Sequence, residues 1–147
     1  MGADLSRANL EGANLALVNF AGANLAGANL HVAKLASADL SKANLRKADL
    51  RGADLTEANL SGADLSEARV GGAELFRADL RHANLSRANF VAANFRAAEL
   101  RGADFRGADL KTSILRETNL EGVDLAGLDL STTLLPRGYK TPGATKE

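Results

Sequence analysis

Acidic residues recur at a fixed step along this 147-residue chain. Asp39, Asp49, Asp54, Asp64, Asp79, Asp104 and Asp109 each stand directly before a leucine or phenylalanine, and Asn9, Asn14, Asn24 and Asn44 take the same place elsewhere. Carboxylates do general acid and base work when one pair is set apart from the rest. Here the repetition supplies acids everywhere and sets none apart. A second series is basic: Arg96, Arg101, Arg106, Lys111 and Arg116 fall every five residues. No nucleophile beside a base, no phosphate-cradling loop and no zinc-type spacing accompanies either series. An enzyme is therefore not expected, and neither a cofactor nor a metal.

Composition narrows the partners. Lys plus Arg number 18 and Asp plus Glu number 18, for a formal net charge of zero. A dedicated nucleic-acid binder normally carries a basic excess, so nucleic acid is not expected. Without cysteine there is neither a disulfide framework nor a thiolate site. Aromatics are few, with five Phe, one Tyr and no Trp, so an interface must be built from smaller groups. No apolar run is long enough to span a membrane, and the start MGADLSRANL lacks the charged and apolar regions of a secretory leader. A cytoplasmic protein with neither a membrane association nor a small-molecule substrate is the expectation.

The elements that carry these charges follow from the period. Leu5, Leu10, Leu15, Phe20 and Leu25 begin a series that keeps register to Leu135. Each such position, denoted i, is preceded two residues earlier by a small residue, usually Ala, with Val18 a bulkier member, and one residue earlier usually by Asp or Asn. Five residues turn an α-helix by about 500°, so successive leucines would define no face. On a strand every second leucine would point to water. Each unit is therefore a short extended segment with Ala and Leu on one side, then a corner. Gly12, Gly22, Gly27, Gly52 and Gly62 at i+2 suit a turn needing positive φ. Units with Lys42, Lys47, Glu57, Glu67 or Arg87 there are expected to use a turn without that demand. Pro is absent before Pro136, leaving every backbone N–H up to that point free to pair.

The motif A-(D/N)-L-x-x, over residues 3 to about 135, resembles the pentapeptide repeat family. The resemblance implies an all-β fold, a right-handed quadrilateral β-helix with four repeats per coil and about seven coils, ~33 Å long at ~4.8 Å per coil. Residues 1–136 would form the solenoid and 137–147 a polar, mobile tail. With 20 residues per coil, one inner column is Leu5, Leu25, Leu45, Leu65, Leu85, Phe105 and Leu125, and Phe20, Phe90 and Phe95 also point inward. His31 and His82 fall on different walls and cannot share a metal. From residue 112 the small series gives way to Ser113, Thr118, Val123, Leu128 and Thr133, so the last coil is expected to widen or to close the tube.

The resemblance also implies two kinds of function. One is a non-enzymatic scaffold that binds another protein through the walls or ends of a rigid rod. The other is a modulator of a type II topoisomerase of the gyrase type, its acids imitating DNA phosphates. Family members with that role are typically acidic, interrupted by a loop and dimerised through a C-terminal helix, and this chain departs on all three counts. Short Asx side chains at corners also have a purely local use, accepting nearby backbone N–H groups. Uncapped solenoid ends expose apolar core and strand edges, so either two copies pair end to end or the chain continues in a longer parent. On the walls, Phe76 is the one aromatic placed to face outward. With Ile114, and with Arg96 stacked over Arg116, it marks a candidate contact surface, although scattered exposed apolar residues also occur without a role.

Overall fold

The computed structural model describes residues 2–140. Among them there is no helix; the chain alternates single-residue bridges with two-residue turns. Every bridge is parallel and joins residues 20 apart: Asp4 to Asn24, Asn9 to Asn29, Asn14 to Lys34, Asn19 to Asp39, and onward. Four ladders therefore run side by side, one for each five-residue unit of the 20-residue step. The molecule is an all-β solenoid.

The repeat can be derived from its backbone N–H groups, which must all find acceptors. In the unit centred on Leu65, Asp64 N–H donates to Ala43 O (3.0 Å), Leu65 N–H to Asn84 O (2.7 Å) and Glu67 N–H to Ser86 O (3.0 Å). Ala68 N–H closes the corner onto Leu65 O (3.0 Å). That leaves Ser66 N–H, which donates to Asp64 Oδ1 (2.9 Å). The acidic or amide side chain at i−1 thus accepts the one donor that ladder and turn leave over. Asp and Asn serve equally because only the side-chain oxygen is needed.

Burial sorts the remaining positions. From Ala23 to Leu110 every residue at i−2 and i is buried where it is apolar, and Leu25, Leu45, Leu65 and Leu85 have no exposed surface. Each such leucine contributes roughly 1.5–3 kcal/mol before chain entropy is set against it. Phe90, Phe95 and Phe105 lie inside as one cluster, with ring centroids 5.0, 5.9 and 6.0 Å apart. Leu5 and Phe20 depart from the expected burial. They are only partly buried, because no coil among the described residues covers the first one.

The corners also differ from expectation. Lys42, Lys47, Glu57, Glu67 and Arg87 adopt φ between 57° and 60°, the same left-handed conformation as the glycines. The i+2 N–H is a ladder donor, as in Lys42 to Ser61 O (2.9 Å), so its direction is fixed by the next coil. A side chain there has no other turn to choose. The strain is roughly 1–2 kcal/mol per residue.

The regular pattern fails in the last coil. Leu85, Arg87 and Phe90 donate to Asp104, Arg106 and Asp109 at 2.7–2.9 Å, but 20 residues later Phe105, Gly107 and Leu110 reach no backbone acceptor among the described residues. Val123 and Leu128 replace the small inward residue on these two walls, and both remain only partly buried. The coil stands off where these bulkier residues take the place of Ala. A crevice of about 240 Å³ opens between Gly102–Arg106 and Gly122–Asp124. The ladder closes again at Leu115 N–H to Leu134 O (2.7 Å). Hydroxyls take part in the repair: Thr133 Oγ1 and Ser113 Oγ both donate to Leu110 O (2.8 and 2.6 Å). Beyond it Tyr139 packs against the core cluster, its phenol pKa raised mainly by burial. Of the tail expected over 137–147, residues 141–147 lie outside the described residues.

Hydrogen exchange checks the opening. The amides of Phe105, Gly107 and Leu110 should exchange at least about 100-fold faster than those of Leu85, Arg87 and Phe90. Equal protection would mean that the last coil is laddered like the rest.

Candidate functional site

The outward residues at i+1 and i+2 are the ones a partner can meet. At i+1 the Asx side chain two residues earlier often holds them. Ser41, Thr56, Ser61 and Ser86 donate both N–H and hydroxyl to it, the hydroxyls at 2.6–2.7 Å. Arginine there makes a fork: Arg51 to Asp49 (2.9 and 2.7 Å), Arg81 to Asp79 (2.9 and 2.6 Å), and Arg106 to Asp104 (3.0 and 2.6 Å). These hydrogen bonds hold the three carboxyl groups below the usual carboxylate range, with the arginine side chain as the largest cause in each. These three acids are therefore neutralised within their own units.

At several corners the i−1 residue is not Asx, and that of Arg116 is one of them. Arg116 also sits at i+1, but its i−1 residue is Ile114, which accepts nothing. Its guanidinium has no carboxylate within 4.0 Å among the described residues, and its N–H has no Asx acceptor. One coil on, Leu134 takes the i−1 place and Pro136, which has no N–H to satisfy, the i+1 place. Together these corners shape an open cleft of about 640 Å³ lined by Arg96, Arg116, Glu117, Thr118, Pro136 and Arg137. Arg96 donates to Glu117 Oε1 (3.1 Å), and its guanidinium carbon lies 6.0 Å from the Phe76 ring centroid. Arg77 approaches the same ring at 5.7 Å, so Phe76 is half-buried beside two cations.

Of the contact residues expected from the sequence, Phe76, Arg96 and Arg116 are thus associated with one corner. Ile114 pairs with Leu134 on the adjoining wall and does not line the cleft. Glu117, Thr118, Pro136 and Arg137 were not foreseen. The signal was available: an arginine at i+1 whose i−1 neighbour is aliphatic. A second cleft, of about 460 Å³, contains Arg81 and Arg101, but Asp79 and Glu99 balance them. Among the described residues no cluster of His, Asp and Glu is arranged to hold a metal ion, and no helix is long and apolar enough to cross a membrane.

The family model for pentapeptide repeats matches residues 3–35, 33–72 and 73–111, in 8 copies. The chain belongs to the pentapeptide repeat family. No curated protein matches it. Among solved structures, a pentapeptide repeat protein from the Arabidopsis thaliana thylakoid lumen is 28% identical, with 82% of this chain and 70% of that chain covered and a TM-score of 0.51. HetL, a pentapeptide repeat protein involved in heterocyst differentiation regulation from the cyanobacterium Nostoc, is 30% identical, with coverages of 92% and 78% and a TM-score of 0.29. QnrB1, a plasmid-mediated fluoroquinolone resistance protein, is 22% identical, with coverages of 90% and 77% and a TM-score of 0.43.

The forks give a pH dependence. A carboxyl held below its unfolded value contributes stability that is present above the unfolded pKa and lost as pH falls through the folded one. The melting temperature should stay level from about pH 7 to 5 and fall below about pH 4. Asp49→Asn, Asp79→Asn and Asp104→Asn combined keep the corner acceptor and lose the fork. That variant should fall less steeply in acid, at a cost near neutrality of less than about 1 kcal/mol per pair. An unchanged acid limb would show that the forks carry no net stability.

Proposed function

We propose that the protein is a non-enzymatic scaffold that binds another protein through the walls or ends of its rod. In this reading the rod has the right-handed, four-cornered geometry of its family, about seven coils in length. The observation that carries it is the corner of Arg116. Arg51, Arg81 and Arg106 are forked onto carboxylates of their own units, whereas Arg116 and Arg137 line a cleft with no carboxylate within 4.0 Å of either guanidinium among the described residues. The rigid walls support such a role, since a surface whose backbone is laddered on both sides loses little freedom on binding. The ends remain a second route, because Leu5, Leu10, Leu15 and Phe20 are only partly covered.

The topoisomerase reading has less support. A duplex mimic needs a continuous anionic face, and here Lys34 and Arg69 stand in the acidic ladders while Asp49, Asp79 and Asp104 are bound to arginines. Two assays separate the readings. The purified chain, immobilised and exposed to extract of its source cells, should retain a defined protein at about 0.15 M salt. A gyrase supercoiling assay should show no effect at saturating protein. Clear inhibition, or protection from a quinolone, would overturn the scaffold reading, and so would failure to retain any partner.

A further inference from the structure

We infer that the corner cleft binds an extended acidic segment of a partner protein, its carboxylates taken by Arg116 and Arg137. The inference rests on the scaffold reading and names the chemistry of its partner. Three guanidiniums, of Arg96, Arg116 and Arg137, line the cleft with a single carboxylate, Glu117. Glu117 is already bonded to Arg96 at 3.1 Å. The concavity therefore holds a local excess of two positive charges on a chain whose formal net charge is zero.

The same side chain shows elsewhere what it takes as a ligand. At i+1, Arg51, Arg81 and Arg106 each bind a carboxylate two residues earlier, at 2.6–2.7 Å for the closest nitrogen. At Arg116 that carboxylate is replaced by Ile114, so the guanidinium lacks the partner that the repeat supplies to the other three. An acid from outside would restore the arrangement that the repeat makes internally. A guanidinium fork on a carboxylate is among the stronger hydrogen-bonded pairs. The backbone N–H of Arg116, lacking its Asx acceptor, offers one further donor.

Spacing fits an extended chain. Ile114 and Leu134 are bridged, so the corners that carry Arg116 and Arg137 are one coil apart, about 4.8 Å at the backbone. Alternate residues of an extended segment lie about 6.7 Å apart on one side. Long arginine side chains span the difference, so a segment with acids at every second position can run along the corner. Nucleic acid fits less well. Single strands bind by stacking bases on free aromatic faces, whereas Phe76 already has Arg77 and Arg96 beside it.

The test is fluorescence anisotropy at about 50 mM salt, where surface charge is only partly screened. The probe is a labelled peptide of alternating glutamate and serine, with a glutamine–serine peptide as control. The wild-type chain should bind the acidic peptide at least about tenfold more tightly than the control. Arg116→Gln with Arg137→Gln should lose that advantage, with the β circular-dichroism spectrum and melting temperature retained, as both residues are exposed. Arg101→Gln, in the balanced cleft, should change binding by less than about twofold. No preference for the acidic peptide would overturn the inference. So would an equal loss in Arg101→Gln, which would mean diffuse charge, or tighter binding of a single-stranded oligonucleotide at the same arginines. A partner captured from extract alongside any of these results would leave the scaffold reading standing and retire only the acidic segment.

Discussion

The hydrogen-bond ladder between residues 20 apart governs everything else in this molecule. Within each regular unit it takes three of five backbone N–H groups, the corner takes a fourth, and the Asx side chain takes the last. The direction of the i+2 donor is set by the coil it must reach. This makes the left-handed corner compulsory, and Val32 (φ 51°), its N–H donating to Arg51 O at 2.9 Å, adopts it although a β-branched side chain resists it. The strain is tolerable because each unit also buries an alanine and a leucine, and because abandoning one corner would break the bonds of neighbouring coils.

A scaffold specified this tightly places its individuality in the exceptions. Where the consensus holds, the Asx oxygen is spent on its own unit, and several of the outward side chains are bound to it. Where it fails, something is released. Ile114 in the Asx place releases the Arg116 guanidinium and N–H. Val123 and Leu128 in the alanine place release the amides of Phe105, Gly107 and Leu110. Both exceptions lie toward the C-terminal end of the described residues, after the stretch that the family model matches. The regular part supplies length and stiffness, and the irregular part supplies the surface with unspent bonding capacity.

Much of the fold was legible in the sequence, because a five-residue period of large apolar residues rules out helix and flat strand on geometry alone. The inner columns followed, and Phe90, Phe95 and Phe105 are buried where the register put them. The conformation of the Lys and Glu corners was misread. Residue preference argued for an ordinary turn, and the ladder, a non-local constraint, overrode it. Leu5 and Phe20 are only partly buried for want of a covering coil, which a column count does not register. The cleft was half legible: Arg96, Arg116 and Phe76 stood out, while Arg137 and Pro136 joined them only through the 20-residue stacking of an irregular coil.

The most direct test of the central constraint is the sign of one substitution. Glu57 sits at a corner with φ 57°, its N–H donating to Phe76 O at 2.8 Å. If the ladder compels the left-handed corner, Glu57→Gly relieves strain and raises unfolding stability, measured by urea titration, by about 0.5–1 kcal/mol. If the corner at Glu57 has an ordinary negative φ, glycine only adds chain entropy, and stability falls by a similar amount.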